Sequence, residues 1–487
     1  MLTQPVQIEV FLEILIVIFQ CKNSYTFKII STIMMSENSF TLKVENNTKF
    51  ERFLRILLIA TAIGAFTDFF DSAIIGADSG GIEASFHIGL TAFGLIASES
   101  FIGGIAGAFL FGWMADKIGR KRSFIIDLIV FVVAEILGAI TTTALELNIT
   151  RFFVGVGIGG DFAPAFIMLS EYYPKMNRGR SYMAFMVIYS LGGFGAYIIG
   201  AARYGLPITL WWRYLFLIGA IPPAIGILIR ARIPEPPRWF LLKGRVEMAK
   251  KAMDTIGLSS AKENMDFLMK NHETTKGRSS ASLIKPYLWV LTIPLIFVAI
   301  GNFIPATGAG PLTPIFVGGL GVSGRNTLLF SAVSVGIVQA SGAAVVYFVI
   351  DKIGQFKVLS LGMALSALGL FVSGLTVGHL YISFAFYLLW TFSLPFAVGT
   401  LWALPTQLYP SRIRGIGEGI NIAVSRGIGI VGVYGGTVLY SSVGARGLFW
   451  VYAGTLTVGL LIFVFAIGKK VEPLGKELED IVGTYIN

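Results

Sequence analysis

Cysteine is nearly missing from this chain. Cys21 stands alone among 487 residues, which excludes an internal disulfide framework and any cysteine metal cluster. Histidine is almost as scarce: His87, His272 and His379 are isolated in expected loops and offer no clustered ligand set for a membrane-embedded metalloenzyme. No G-x-x-x-x-G-K-[ST] phosphate loop occurs, so a nucleotide-driven pump is disfavoured, and nothing in the sequence calls for a cofactor. Charge is thin as well. Only 14% of residues are charged, where an average soluble chain carries roughly 25%, while 55% are hydrophobic and the mean hydropathy is +0.75. A soluble protein of this length would need far more charge to cover its surface.

What the chain does have is long apolar stretches. They recur at roughly 54–77, 89–115, 123–144, 148–171, 183–203 and 212–233, and again at 287–307, 326–350, 358–377, 380–404, 416–440 and 446–468. Each can cross a ~30 Å hydrocarbon layer at 1.5 Å per helical residue. The expected fold is therefore an all-α membrane protein of twelve helices in two sets of six. The short alternating strands of a membrane β-barrel are absent. The 57 glycines suit helices that approach closely.

Net charge is +10, but the cations gather in the loops after even-numbered stretches: Lys117 to Arg122, Lys175 to Arg180, Lys352 with Lys357, and Arg412 with Arg414. That bias predicts a multi-pass cell-membrane protein with both termini cytoplasmic, not a nucleic-acid binder. The expected domains are a cytoplasmic segment 1–50, a first bundle 51–233, a cytoplasmic loop 234–285, a second bundle 286–468 and a tail 469–487. Within the loop, Val246, Met248, Ala249, Ala252, Met253 and Ile256 predict one amphipathic helix. Residues 1–33 read as an upstream start ahead of Met34 or Met35.

The two halves carry related loops. Asp116-Lys117-Ile118-Gly119 returns as Asp351-Lys352-Ile353-Gly354, and "EYYPKMNRG" (171–179) returns as "QLYPSRIRG" (407–415), at nearly the same offset. This argues for a duplicated six-span unit in parallel orientation. Gly112, Asp116, Lys117, Gly119, Arg120, Lys121 and Arg122 fit, position for position, the G-x-x-x-D-[RK]-x-G-R-[RK]-[RK] loop of the major facilitator superfamily, which the chain resembles from about residue 50 to 470. "PEPPRWFLLKGR" (234–245) is similar to the segment after span six of its sugar porters, and "RFFVGVGIGGD" (151–161) to their span-four motif. The resemblance implies alternating access between the halves, with Gly112, Asp116, Gly119, Arg120 and Arg122, and Asp351 with Gly354 in the second copy, as a cytoplasmic gate.

Ionisable side chains near the bilayer centre cost roughly 2.5–3.5 kcal/mol each on insertion scales, so each needs a function or a partner. Counted along their helices, Asp71 and Arg151 lie at similar depth in the outer half, with Asp68 one turn from Asp71. Asp161 and Arg426 lie near the midplane in opposite bundles, and are expected to face one another. By resemblance to proton symporters, Asp68, Asp71, Arg151 and Asp161 are the candidate proton-coupling residues. Arg426, Asp161, Trp402, Gln339, Asn302 and Asn421 are the candidate substrate contacts. Glu135 is a possible second partner of Arg151.

The span-eleven run "RGIGEGINIAVSRG" (414–427) resembles that of proton-coupled organic-acid carriers, while span seven, "IGNFIPATGAG", lacks both the Q-Q-x-S-G of sugar porters and the aspartate of phosphate carriers. The leading expectation is a monomeric, proton-coupled symporter of a small organic anion. Sugar or phosphate symport is the alternative, and a non-transporting sensor a remoter one.

Overall fold

The computed structural model describes residues 47–172, 178–202, 206–259, 292–408 and 414–467, and every regular element among them is helical. The expectations for residues 1–33 and for the C-terminal tail fall outside this set. The first bundle runs α1 (Asn47–Ala77), the short α2 (Ser79–Phe86), α3 (Leu90–Ile118), α4 (Arg120–Ala139), α5 (Ala144–Tyr172), α6 (Arg178–Ala201), α7 (Ile208–Gly219) and α8 (Ile221–Arg230). The loop contributes α9 (Pro237–Leu242) and α10 (Val246–Ile256). The second bundle runs α11 (Ile293–Gly308), α12 (Thr313–Gly319), α13 (Arg325–Ala332), a π-turn (Val333–Val338), α14 (Gln339–Ile353), α15 (Gln355–Leu375), α16 (Leu380–Leu408) and α17 (Arg414–Ile462). Among the described residues eight helices are long and apolar enough to cross a membrane, or nine if α11 and α12, bent by 78°, form one span.

Local chemistry explains the breaks. Pro222 and Pro223 lack N–H groups and start α8 anew after α7. Pro311 lies in the bend between α11 and α12. Gly444, at φ 68° and ψ −174°, divides α17 into the two stretches expected from the sequence. Gly119 (φ 114°) and Gly354 (φ 95°) make the same turn in the two repeats, each joining one helix directly to the next.

The span-four glycines prove to be contact surfaces. A Cβ on Gly155 or Gly159 would strike the carbonyls of Ser100 and Gly104 on α3, and one on Gly157 would lie 2.8 Å from Phe131 on α4. The absent side chains let α5 lie against both neighbours at once.

The amphipathic loop helix forms as α10. Ala249, Ala252, Met253 and Ile256 are buried, and Met253 and Ile256 pack with Phe50, Phe53 and Leu57 at the start of α1. Val246 and Met248 do not join that face and stay about half exposed, while Met253 and Ile256 carry the packing against α1.

Candidate substrate and proton site

The "TDFFD" run lies within α1, so Asp68 and Asp71 stand one helical turn apart. Each meets its own arginine. Arg151 of α5 grips Asp71 with both terminal nitrogens, at 2.7 and 2.6 Å, and gives a third bond of 3.1 Å to Glu135 of α4. The side chains of this cluster are at most 1% exposed. Arg426 of α17 faces Asp68 at 3.1 and 3.4 Å, joining the second bundle to the first.

This second pair borders a cavity of about 70 Å³ between the bundles, whose wall also includes Asp71, Ser72, Tyr189, Gln339 and Trp402. Four aromatic rings line up across it. Phe69 stacks on Tyr189 at 4.4 Å, Tyr189 meets Trp402 edge-on at 5.9 Å, and Trp402 lies over Phe303 at 6.5 Å. The Gln339 side-chain oxygen on the wall has no hydrogen-bond partner. Beside the cavity, Tyr197 of α6 donates to the carbonyl of Gly310, a wall residue. Tyr182 and Met183 of α6 pack against Val346, Ile350 and Phe396 of the second bundle.

Three expectations change. Asp161 does not face Arg426; its carboxylate is bound by Arg230 at the end of α8. Arg230 also reaches Asp127 at 3.4 Å, donates to the Phe124 carbonyl at 2.8 Å and lies 3.4 Å from the Phe124 ring centre. Gly64 of α1 makes room for this cluster, because a Cβ there would overlap the Asp161 carboxylate. Depth along a helix fixes height, not bearing, and Asp161 turns into its own bundle. Asn302 is wholly buried with both amide atoms unpartnered, yet it is not on the cavity wall. Asn421 is off the wall too, donating at 3.3 Å to the Leu401 carbonyl and so tying α17 to α16.

At the expected gate, the organising group is one the sequence reading did not single out. Glu235, in the "PEPPR" segment, accepts from the backbone N–H groups of Arg120 and of Lys121, the latter at 3.1 Å, and so caps α4. Burial raises its carboxyl above the usual range, against the lowering effect of those N–H groups. A Cβ on Gly119 would sit 2.6 Å from the same carboxylate. Lys121 donates to the Ala231 carbonyl at 2.7 Å. These contacts tie the loop to its own bundle. Arg122 is exposed, a Cβ on Gly112 would meet nothing within 4 Å, and the side chains of Asp116 and Asp351 lie outside the described residues. Arg230 was equally hard to see, since a cation closing an apolar stretch reads as a topology signal.

Comparison with known proteins decides the family. The model of the family described as sugar (and other) transporter matches residues 14–482. The chain belongs to this family. The transporter is 25% identical to the arabinose-proton symporter of Bacillus subtilis, over 89% of this chain and 95% of that one. It is 26% identical to the glucose transporter GlcP of Staphylococcus epidermidis, over 88% and 96%. The partially occluded, inward-open xylose transporter XylE from E. coli superposes with a TM-score of 0.75 at 18% identity, covering 88% of this chain and all of that one. The transporter thus has the major facilitator fold and is a multi-pass membrane carrier of small molecules, not an enzyme. Against the sequence expectation of an organic anion, these relatives favour the sugar-proton alternative.

Proposed function

We propose that the transporter is a proton-coupled sugar symporter, with the cavity between the bundles as its sugar site and Asp71 as a proton-coupling acid. The observation that carries this is the pairing of a buried Asp71–Arg151 ion pair with a cavity walled by aromatic rings and an unpartnered amide oxygen. Aromatic faces suit the C–H faces of a sugar ring, and the free Gln339 oxygen suits a hydroxyl donor. Asp71 touches the cavity while its guanidinium partner is buried behind it, so protonation there can be sensed by a bound sugar. Asp161, paired with Arg230 and one turn inward of the cavity residue Ile158, serves as a proton acceptor on the way to the cytoplasm. Trp402 and Gln339 are substrate contacts, and the repeated Asp-Lys-Ile-Gly loops form the cytoplasmic gate. In this reading both termini are cytoplasmic, the domain limits are those read from the sequence, and the carrier acts as a monomer.

The test is uptake of labelled pentoses and hexoses into proteoliposomes under an imposed pH gradient. Accumulation should require the gradient. Asp71→Asn should abolish accumulation while sparing counterflow exchange; gradient-driven accumulation by this variant would remove Asp71 from the mechanism.

A further inference from the structure

The two arginine–aspartate pairs on α1 differ in a way that bears on the substrate. Arg151 and Asp71 are 1% exposed and bonded at 2.6 and 2.7 Å. Arg426 and Asp68 are 13% and 6% exposed on the cavity wall, at the longer distances of 3.1 and 3.4 Å. An uncharged sugar needs no guanidinium on the cavity wall, so with such a substrate the Arg426–Asp68 pair would serve only to join the bundles. Arg426 is also held in place for presentation. A Cβ on Gly104 would lie 3.3 Å from its Cδ, so the glycine leaves space for the stem, and the Phe101 ring centre is 5.9 Å from the guanidinium carbon. Asp68 already sits as a carboxylate against the guanidinium fork, the geometry a bound carboxylate would take.

We propose that the sugar carried is one bearing a carboxylate, a uronate or an aldonate, whose carboxylate replaces that of Asp68 on Arg426 while Asp68 takes the one coupled proton, relayed by Asp71 one turn away. This rests on the sugar-symport reading and narrows it. The exchange balances. The incoming carboxylate accepts the two guanidinium N–H groups that Asp68 releases, and a proton from the outer water binds the freed Asp68 carboxylate. No net charge enters the cavity. Without that proton, the ligand would leave one unmatched negative charge among the groups that face Asp68. These are Asp71 on its own helix with Arg151 and Glu135 behind it, Asp161 of α5 with Arg230 of α8, Tyr189 of α6, and Arg426 of α17.

Anion and proton together carry no charge, whereas a neutral sugar with a proton carries one positive charge inward. The experiment uses purified protein in proteoliposomes with D-glucuronate and D-glucose, imposing either a pH gradient or a potassium-valinomycin potential. Glucuronate should accumulate under the pH gradient and ignore the potential. Its Kd, read by tryptophan fluorescence, should rise about tenfold per pH unit, as uptake of one proton per ligand requires. Asp68→Asn removes both the internal competitor and the proton site, so it should flatten that slope and tighten glucuronate binding at alkaline pH. Glucose accumulation driven by the potential, with glucuronate neither carried nor competing, would overturn the inference and leave the sugar reading intact. A slope that persists in Asp68→Asn would also overturn it. If neither compound moves under any gradient, the sugar-symport reading itself falls. The potential and slope measurements on unaltered protein hold even if the variant fails to fold.

Discussion

Gly64 shows how one missing side chain can decide where a charge goes. Its bare Cα leaves the space in which Asp161 meets Arg230, and a Cβ would also lie 2.9 Å from an Arg230 nitrogen. Gly64→Ala should push the carboxylate off its partner and leave a buried charge uncompensated, at a cost of about 3–5 kcal/mol. A thermal melt in detergent reads this directly, and a parent-like Tm would mean that Asp161 has another resting place. The same cluster marks the limit of what the sequence discloses at this scale. The Asp71–Arg151 pair was legible because both residues must be buried at one depth. Asp161 and Arg426 share a depth too, but nothing in a linear count says which way each faces, so Arg426 went to Asp68 and Asp161 to Arg230. Asn302 and Asn421 misled for a similar reason, since polarity within an apolar stretch signals the cavity and the helix interface alike.

Among the elements, α4 is held at both ends by charges from the sixth span and the segment that follows it. Glu235 accepts from the N–H groups at its start, and Arg213 of α7 donates to the Ala139 and Thr141 carbonyls at its end, at 2.8 and 2.6 Å. Negative charge at the N-terminus and positive charge at the C-terminus both oppose the helix dipole. Glu235→Ala should therefore destabilise the transporter by about 1 kcal/mol, the usual worth of an N-cap, and detergent melts should show the drop without loss of helical signal. Helix positions were read well from hydrophobic length, and the Gly119 turn from its motif. The caps were not legible, because Glu235 lies more than a hundred residues from the N–H groups it serves. The π-turn at Val333–Val338 has no counterpart in the apolar pattern, which is continuous there.

For the whole molecule, contacts between the bundles flank the cavity, and one of them is a single hydroxyl bond, from Tyr197 to the Gly310 carbonyl. Tyr197→Phe removes the bond to the Gly310 carbonyl, worth about 1 kcal/mol, and should shift the closed-to-open ratio roughly fivefold toward outward opening. The lone native cysteine makes this measurable. In a Cys21→Ser background, Ser72→Cys should react faster with an impermeant thiol reagent from outside when Tyr197 is Phe, and an equal rate would show that the hydroxyl is no latch. The buried pairs carry one more consequence, and it concerns synthesis. In every cross-bundle or cross-helix pair described, except the bond of Arg151 to Glu135's carboxylate one helix back, an acid waits long for its base: Asp71 for 80 residues, Asp127 for 103, Asp161 for 69 and Asp68 for 358. Each of these acids therefore leaves the ribosome before its partner exists. A lone carboxylate is poorly tolerated in lipid, so these helices enter as neutral acids or linger beside the insertion machinery until the arginine arrives. A nascent chain halted before Arg230 would hold Asp127 and Asp161 with no cation to meet them, so the sixth span is the point at which these two acids are matched, while Asp68 waits for the second bundle.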